Sequence, residues 1–417
     1  MEGFEKTNKS KKRKISNLEQ KFDDNELLKI AINYHYEGNI LKASKLYKFL
    51  IEKGSKNSTI FTNYGLILIR FGELKDAEFF IRKAISLNPK DSIAYYNLAG
   101  ILKNQKKLKD AEFFIRKAIS LNPKNSIAHY NLGIILKDLG KLQDSEFSYR
   151  KAIQIKPDFA EAHHNLGNLL SYFGKLQDSE FSYRKAIKIN PNYIKAYYSL
   201  SLLKYSDKNK KWKNQLFSNK ILNEKSKDEQ INIYFARANI LHKEKNYDES
   251  SKYLKLANQL KITIYPSNSD ALIKKSKSLL IESNKQAINQ LKYKKSQESI
   301  FIVGMPRSGS TLLESILSIN SGVFDLGESE ILEESYLDYK TKNQELNLAD
   351  RYWNKIKDHK IKTTKTTNKN LYNYLYTGII ASEIPNAKII HCYRNPLDNI
   401  LSTYRAHFAT GNNFSSS

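Results

Sequence analysis

One cysteine, Cys392, stands in 417 residues, which excludes an internal disulfide framework and suits a reducing, cytoplasmic compartment. No apolar run approaches the ~20 residues needed to span a bilayer, and the N-terminus has no apolar core of a secretory signal. The eight histidines fall into no ligand pattern such as H-E-x-x-H, so no metal is expected. His163 and His164 are adjacent and point to different sides of a helix, which makes them decoration of that helix. Acids are outnumbered, 43 against 69 Lys and Arg, for a formal net charge of +26. That balance favours anionic partners. Lysine, asparagine, isoleucine and tyrosine are nonetheless abundant along the whole chain, and no nucleic-acid motif accompanies the charge, so no specific nucleic-acid partner is expected. Residues 1–22, with KTNKSKKRK, read as a disordered basic tail.

What is present first is a period of 34 residues, the length of a tetratricopeptide unit. AEFFIRKAISLNPK occurs at 77–90 and again at 111–124, and GKLQDSEFSYRKAI at 140–153 and 174–187. Small residues recur in register at Ala77, Ala111, Ser145 and Ser179, and at Ala84, Ala118, Ala152 and Ala186; Pro89, Pro123, Pro157 and Pro191 end the units. Residues 23–56 form a less regular first unit, and a last one resumes near Ile231. Stacked units bury faces that none can bury alone, so an α-solenoid is predicted over 23–261. Asn63, Asn97, Asn131 and Asn165 recur once per unit on the first helix. They read either as a ladder of amides for an extended peptide backbone or as makers of local hydrogen bonds within the array.

The second feature is SIFIVGMPRSGST at 299–311, followed at 394–404 by RNPLDNILSTY. The run Ile300 to Val303 suits a buried parallel strand, Gly304 begins a tight turn, and helix pattern resumes at Ser310. A strand turning sharply into a helix aims unpaired backbone N–H groups and the positive end of the helix dipole at whatever sits in the loop. Gly309 permits close backbone approach, Ser308, Ser310 and Thr311 offer hydroxyls, and Arg307 offers a planar fork for phosphoryl or sulfuryl oxygens. Gly304 and Gly309 stand as in the Walker loop, but Ser310 occupies the position of its lysine, which weighs against a nucleoside-triphosphate kinase. A tight turn that binds nothing is the plain alternative. Residues 387–393 read as a second buried strand, with His391 and Cys392 as packing residues, and Pro396 as the start of a helix that puts Arg394 and Ser402 near one face.

PRSGSTLLESIL with RNPLDNILSTY resembles the sulfotransferase family that uses 3′-phosphoadenosine 5′-phosphosulfate (PAPS), in the branch of the tyrosylprotein sulfotransferases and the bacterial sulfotransferases fused to tetratricopeptide repeats. The resemblance implies a P-loop-like three-layer α/β module with a parallel sheet, PAPS as co-substrate and no metal. It further implies that Arg307, Ser308, Gly309, Ser310 and Thr311 hold the 5′-phosphosulfate and that Arg394 and Ser402 hold the 3′-phosphate. Glu328, 21 residues after Arg307, matches the branch's general base, with Glu330, Glu333 and Glu334 as neighbouring carboxylates. Lys369, 25 residues before Arg394, matches the lysine that stabilises the leaving oxygen; Asn368 replaces the acid usual before it, the following proline is absent, and Lys365 is a nearby substitute.

The expected organisation is a tail at 1–22, the solenoid at 23–261, a helical connection at 262–298 and a sulfotransferase module at 299–417. A full module of this kind is expected nearer ~200–250 residues, so this one reads as incomplete, a fragment. The expected function is transfer of a sulfuryl group from PAPS to a hydroxyl of a peptide or saccharide presented by the solenoid. The alternative is a non-catalytic tetratricopeptide scaffold carrying a vestigial nucleotide site.

Overall fold

The computed structural model describes residues 22–203, 211–266, 269–285, 297–341, 346–358 and 365–406; the expected tail therefore lies, but for Phe22, outside the described residues. The chain divides into two compact units, one running to Leu216 and the other starting at Phe217.

The first unit is a succession of helices: α1 (Asp24–Tyr36), α2 (Ile40–Glu52), α3 (Ser58–Arg70), α4 (Leu74–Leu87), α5 (Ser92–Asn104), α6 (Leu108–Leu121), α7 (Ser126–Asp138), α8 (Leu142–Ile155), α9 (Ala160–Tyr172), α10 (Leu176–Ile189), α11 (Ile194–Leu202) and α12, which begins at Lys211. Asn57, Asp91 and Asn125 cap the first helix of their repeats through side-chain oxygens, satisfying donors that a helix start leaves open. Within each pair the small positions set the approach. Ala77, Ala111, Ser145 and Ser179 are fully or almost fully buried, and Ser145 Oγ and Ser179 Oγ donate to the Gly133 and Gly167 carbonyls at 2.7 Å. A Cβ on Gly133 would stand 2.6 Å from the Tyr149 ring, which keeps that position glycine; the buried serine opposite it is satisfied because its hydroxyl has the glycine carbonyl as acceptor. Between paired helices of this unit the turn takes a left-handed residue, Gly38, Gly72, Gly140 and Gly174 in four repeats and Lys106, at φ 63°, in the remaining described one.

The second unit begins with a 3₁₀ turn (Asn219–Leu222), followed by α13 (Lys227–Lys243) and α14 (Tyr247–Ile264), which repeat the same bond: Ser250 Oγ donates to the Ala238 carbonyl at 2.9 Å. Next come α15 (Ser269–Lys285), β1 (Glu298–Gly304), α16 (Ser310–Leu317), β2 (Val323–Asp325), α17 (Ile331–Thr341), α18 (Leu348–Asp358), β3 (Lys365–Asn368), a 3₁₀ turn (Leu371–Tyr376), α19 (Thr377–Glu383), β4 (Lys388–Cys392) and α20 (Pro396–Arg405). The strands form one parallel sheet in the order β2-β3-β1-β4. Phe301, Leu332, Tyr352, Trp353, Tyr376 and Ile380 form its core, joined by Leu279 of α15. One strand departs from expectation. The sequence reads β4 as buried with His391 and Cys392 packed, but among the described residues it is an edge strand paired to β1, with His391 exposed and Cys392 half-buried. Its short apolar run, Ile389 and Ile390 followed by Cys392 and Tyr393, is shared with buried strands, and only the strand order distinguishes the two.

Candidate active site

All four strands run parallel, so their carboxyl ends meet at one edge, where open α/β sheets bind ligands. Each expected site residue of this unit leaves from that edge or close to it. β1 ends at Gly304, whose φ of 149° and position against β4 admit no side chain: a Cβ would lie 2.4 Å from the Cys392 carbonyl oxygen. Beyond it Arg307 and Gly309 are both left-handed, at φ 68° and 98°, and α16 begins with Gly309 as its cap. The Leu313 N–H makes the helical bond back to Gly309, so the N–H groups of Ser310, Thr311 and Leu312 face the loop without carbonyls one turn earlier to receive them. Ser308 Oγ is buried without a hydrogen-bond partner among the described residues. A buried hydroxyl in a left-handed loop at a helix start fits an anion that would accept from it.

The β4 end closes on this loop. Asn395 caps α20 by accepting from the Leu397 and Asp398 N–H groups, with Pro396 at the first position. Arg394 Nη1 donates to the Arg307 carbonyl at 3.4 Å, Arg307 Nε donates to Ser402 Oγ at 3.3 Å, and buried Asn399 donates through Nδ2 to the Pro306 carbonyl at 2.8 Å. Arg307, Ser308, Arg394 and Ser402 are thus brought together. Asn399 was not singled out in the sequence, and nothing local to it distinguishes it from a surface residue of an amphipathic helix.

On the other side of β1, the ends of β2 and β3 place Glu328 and Lys369. The ladder continues past the strands, with Leu326 N donating to Thr367 O and Lys369 N to Gly327 O, both at 2.9 Å. Lys369 Nζ then donates to Glu328 Oε1 at 3.1 Å. The Glu328 side chain is 64% exposed, whereas that of Lys369 is 11% exposed. A second acid, Glu314 of α16, lies 3.8 Å from the same Nζ with its side chain only 5% exposed, and Thr367 Oγ1 donates to its Oε1 at 3.0 Å. Burial pushes the Glu314 carboxyl above the ordinary carboxylate range, against the opposing pull of Thr367 and Lys369. Sequence reading passed over Glu314 because it stands among the apolar residues of STLLESIL. Asn368, where an acid is usual, is buried and accepts from Asn370 N and Asn373 Nδ2, which makes it part of the strand-end turn. Lys365 lies at the opposite end of β3 and pairs with Glu298.

In the repeat unit, three of the four asparagines donate to tyrosine hydroxyls: Asn63 to Tyr47 at 3.2 Å, Asn131 to Tyr96 at 2.7 Å and Asn165 to Tyr130 at 3.1 Å. Asn97 Nδ2 is buried with no partner among the described residues. His163 and His164 are both buried rather than decorative; His164 Nε2 lies 3.0 Å from Ser199 Oγ and Nδ1 3.4 Å from the Tyr193 hydroxyl.

Residues 299–417 match the family model described as sulfotransferase family. Residues 27–156 match that of the cilia and flagella-associated protein 70 middle TPR-like domain, and residues 160–193 and 231–261 match tetratricopeptide-repeat models. The chain therefore carries tetratricopeptide repeats followed by a domain of the sulfotransferase family. It is 28% identical over 200 residues to an uncharacterized protein of Aquifex aeolicus (strain VF5), covering 42% of this chain and 26%, about a quarter, of that relative's length. Solved structures similar to it include MamA, at 23% identity over 39% of this chain and 95% of that one, TM-score 0.37. MamA from Desulfovibrio magneticus RS-1 gives 18% identity over 41% and 96%, TM-score 0.38. YrrB, a TPR protein with an unusual peptide-binding site, gives 22% over 48% and 97%, TM-score 0.36.

Proposed function

We propose that the sheet-containing unit transfers a sulfuryl group from PAPS to a hydroxyl of a peptide or saccharide acceptor, and that the repeats bind the protein or peptide that carries it. The observation that supports this reading best is the meeting of two cationic strand ends, β1 through Arg307 and β4 through Arg394, beside the orphaned Ser308 hydroxyl. PAPS would supply an activated sulfuryl group on a phosphate leaving group. The N–H groups of Ser310 and Thr311, with Arg307 and Ser308, would hold the 5′ end across Gly309, and Arg394 with Ser402 the 3′-phosphate. Exposed Glu328 is open to an acceptor and would take the proton of its hydroxyl onto a carboxylate oxygen as the new oxygen–sulfur bond forms. Lys369 would stabilise charge on the departing oxygen, since loose group-transfer transition states are served by positioning and electrostatics.

In the repeats, Asn63, Asn131 and Asn165 each give one N–H to tyrosine, so a peptide would meet their carboxamide oxygens and the remaining N–H. The test is incubation of the whole protein with ³⁵S-labelled PAPS and peptide or saccharide libraries. Label transfer that Glu328→Gln reduces by about a hundredfold or more is expected, the scale of a lost general base. Equal transfer by wild type and Glu328→Gln would contradict the reading; no transfer and no nucleotide binding would favour a scaffold.

A further inference from the structure

Lys369 has two acidic partners that differ in what the reaction does to them. Glu328, 64% exposed, faces acceptors and changes charge when it receives a proton. Glu314, 5% exposed, lies beneath and meets neither acceptor nor bulk water. When Glu328 is protonated its attraction for the ammonium falls to that of a neutral hydrogen bond. A lysine, a point charge on a flexible four-carbon stem, would then be expected to swing towards water.

We infer that Glu314 is a positioning residue that keeps Lys369 at the end of β3 while Glu328 carries the acceptor's proton. This rests on the reading of Glu328 as base and Lys369 as stabiliser of the leaving oxygen. Two features suit Glu314 to the task. Its Oε1 is fixed by Thr367 Oγ1 at 3.0 Å, on β3 two residues before Lys369, so the anchor and the anchored chain are registered to one another. It also sits in α16, the helix whose start borders the anion loop, so lysine and loop are held to a common element. The proton balance is unchanged by Glu314, which gains and loses nothing; the acceptor's proton goes to Glu328 alone.

Glu328→Gln mimics the protonated base and isolates the second anchor. In whole protein without nucleotide, acetylation of Lys369 by acetic anhydride, read by mass spectrometry and normalised to Lys355, should stay slow in Glu328→Gln. It should rise about tenfold in Glu328→Gln/Glu314→Gln, the ratio that loss of one largely buried ion-pair partner supplies. Adenosine 3′,5′-bisphosphate should bind the double variant about tenfold more weakly than Glu328→Gln. On a Glu328→Gln/Lys369→Ala background, Glu314→Gln should change nothing, because a residue acting only through Lys369 has no effect without it. Unchanged labelling, or binding losses that persist without Lys369, would overturn the inference, as would a rise shared by Lys355. If the double variant does not fold, Glu328→Gln/Thr367→Val decides: labelling should rise severalfold, and no rise contradicts the anchor. Absence of bisphosphate binding by wild type, with labelling as expected, would instead remove the sulfotransferase reading and leave the anchor standing.

Discussion

Arg394 donates from Nη1 to the backbone carbonyl of Arg307, 87 residues earlier, at 3.4 Å. Two strand ends on either side of a single parallel register are thereby joined at the loop that each borders. If Arg394 holds the 3′-phosphate, Arg394→Ala should weaken binding of adenosine 3′,5′-bisphosphate by about tenfold or more, as expected for loss of a charged hydrogen bond. Binding of adenosine 5′-phosphosulfate, which lacks the 3′-phosphate, should change much less. Calorimetric titration of both ligands checks this, and equal losses would detach Arg394 from the 3′ end.

Gly304→Ala places a Cβ 2.4 Å from the Cys392 carbonyl oxygen, a backbone atom that cannot turn aside. The β1–β4 pairing must open, and the variant should lose about 2 kcal/mol or more, in the range of overpacked sites. Urea unfolding followed by circular dichroism reads the loss; a neutral result would mean that the loop is not pressed against β4.

Lys106 occupies the left-handed turn that Gly72, Gly140 and Gly174 occupy elsewhere. A residue with a Cβ pays about 1 kcal/mol or more there. Lys106→Gly should therefore stabilise the repeats, by up to about 1 kcal/mol after glycine's larger unfolded-state entropy is subtracted. Gly140→Lys should destabilise them, and the opposite signs in a thermal melt would refute the strain.

His164 is buried between Ser199 and Tyr193, and desolvation pushes its pKa down to about 4. The unfolded state, titrating near 6.5, binds more protons than the native state between those values, so stability rises with pH across the window and is lost as pH falls through it. The loss from this group approaches about 3 kcal/mol. Replacing His164 with Gln should flatten the acid limb of the melting temperature between pH 6.5 and 4; an unchanged limb would assign it elsewhere.

The sequence already shows the repeat array, because the 34-residue identity of 77–90 with 111–124 puts each small residue at a helix contact where Ala77 and Ala111 are indeed fully buried. It also shows the β1 loop and the start of α20, since Gly304, Gly309 and Pro396 act through local backbone preference. Glu314 was not legible. Its burial is made by Thr367 and Lys369, more than 50 residues away, while Leu312 and Ile316 of the same helix are exposed, the reverse of what the apolar pattern suggests. His164 was missed for the same reason, its burial coming from Tyr193 and Ser199 in the following repeat. Helix periodicity reports which face is apolar, and the chemistry of a buried polar group depends on a partner that periodicity does not name.

The most direct test titrates adenosine 3′,5′-bisphosphate into the whole protein and into Arg307→Ala by calorimetry, without added metal. Saturable one-to-one binding, weakened about tenfold or more by Arg307→Ala, is the predicted result. No heat of binding, or equal affinity for the variant, would contradict the account of the β1 and β4 ends as one nucleotide site.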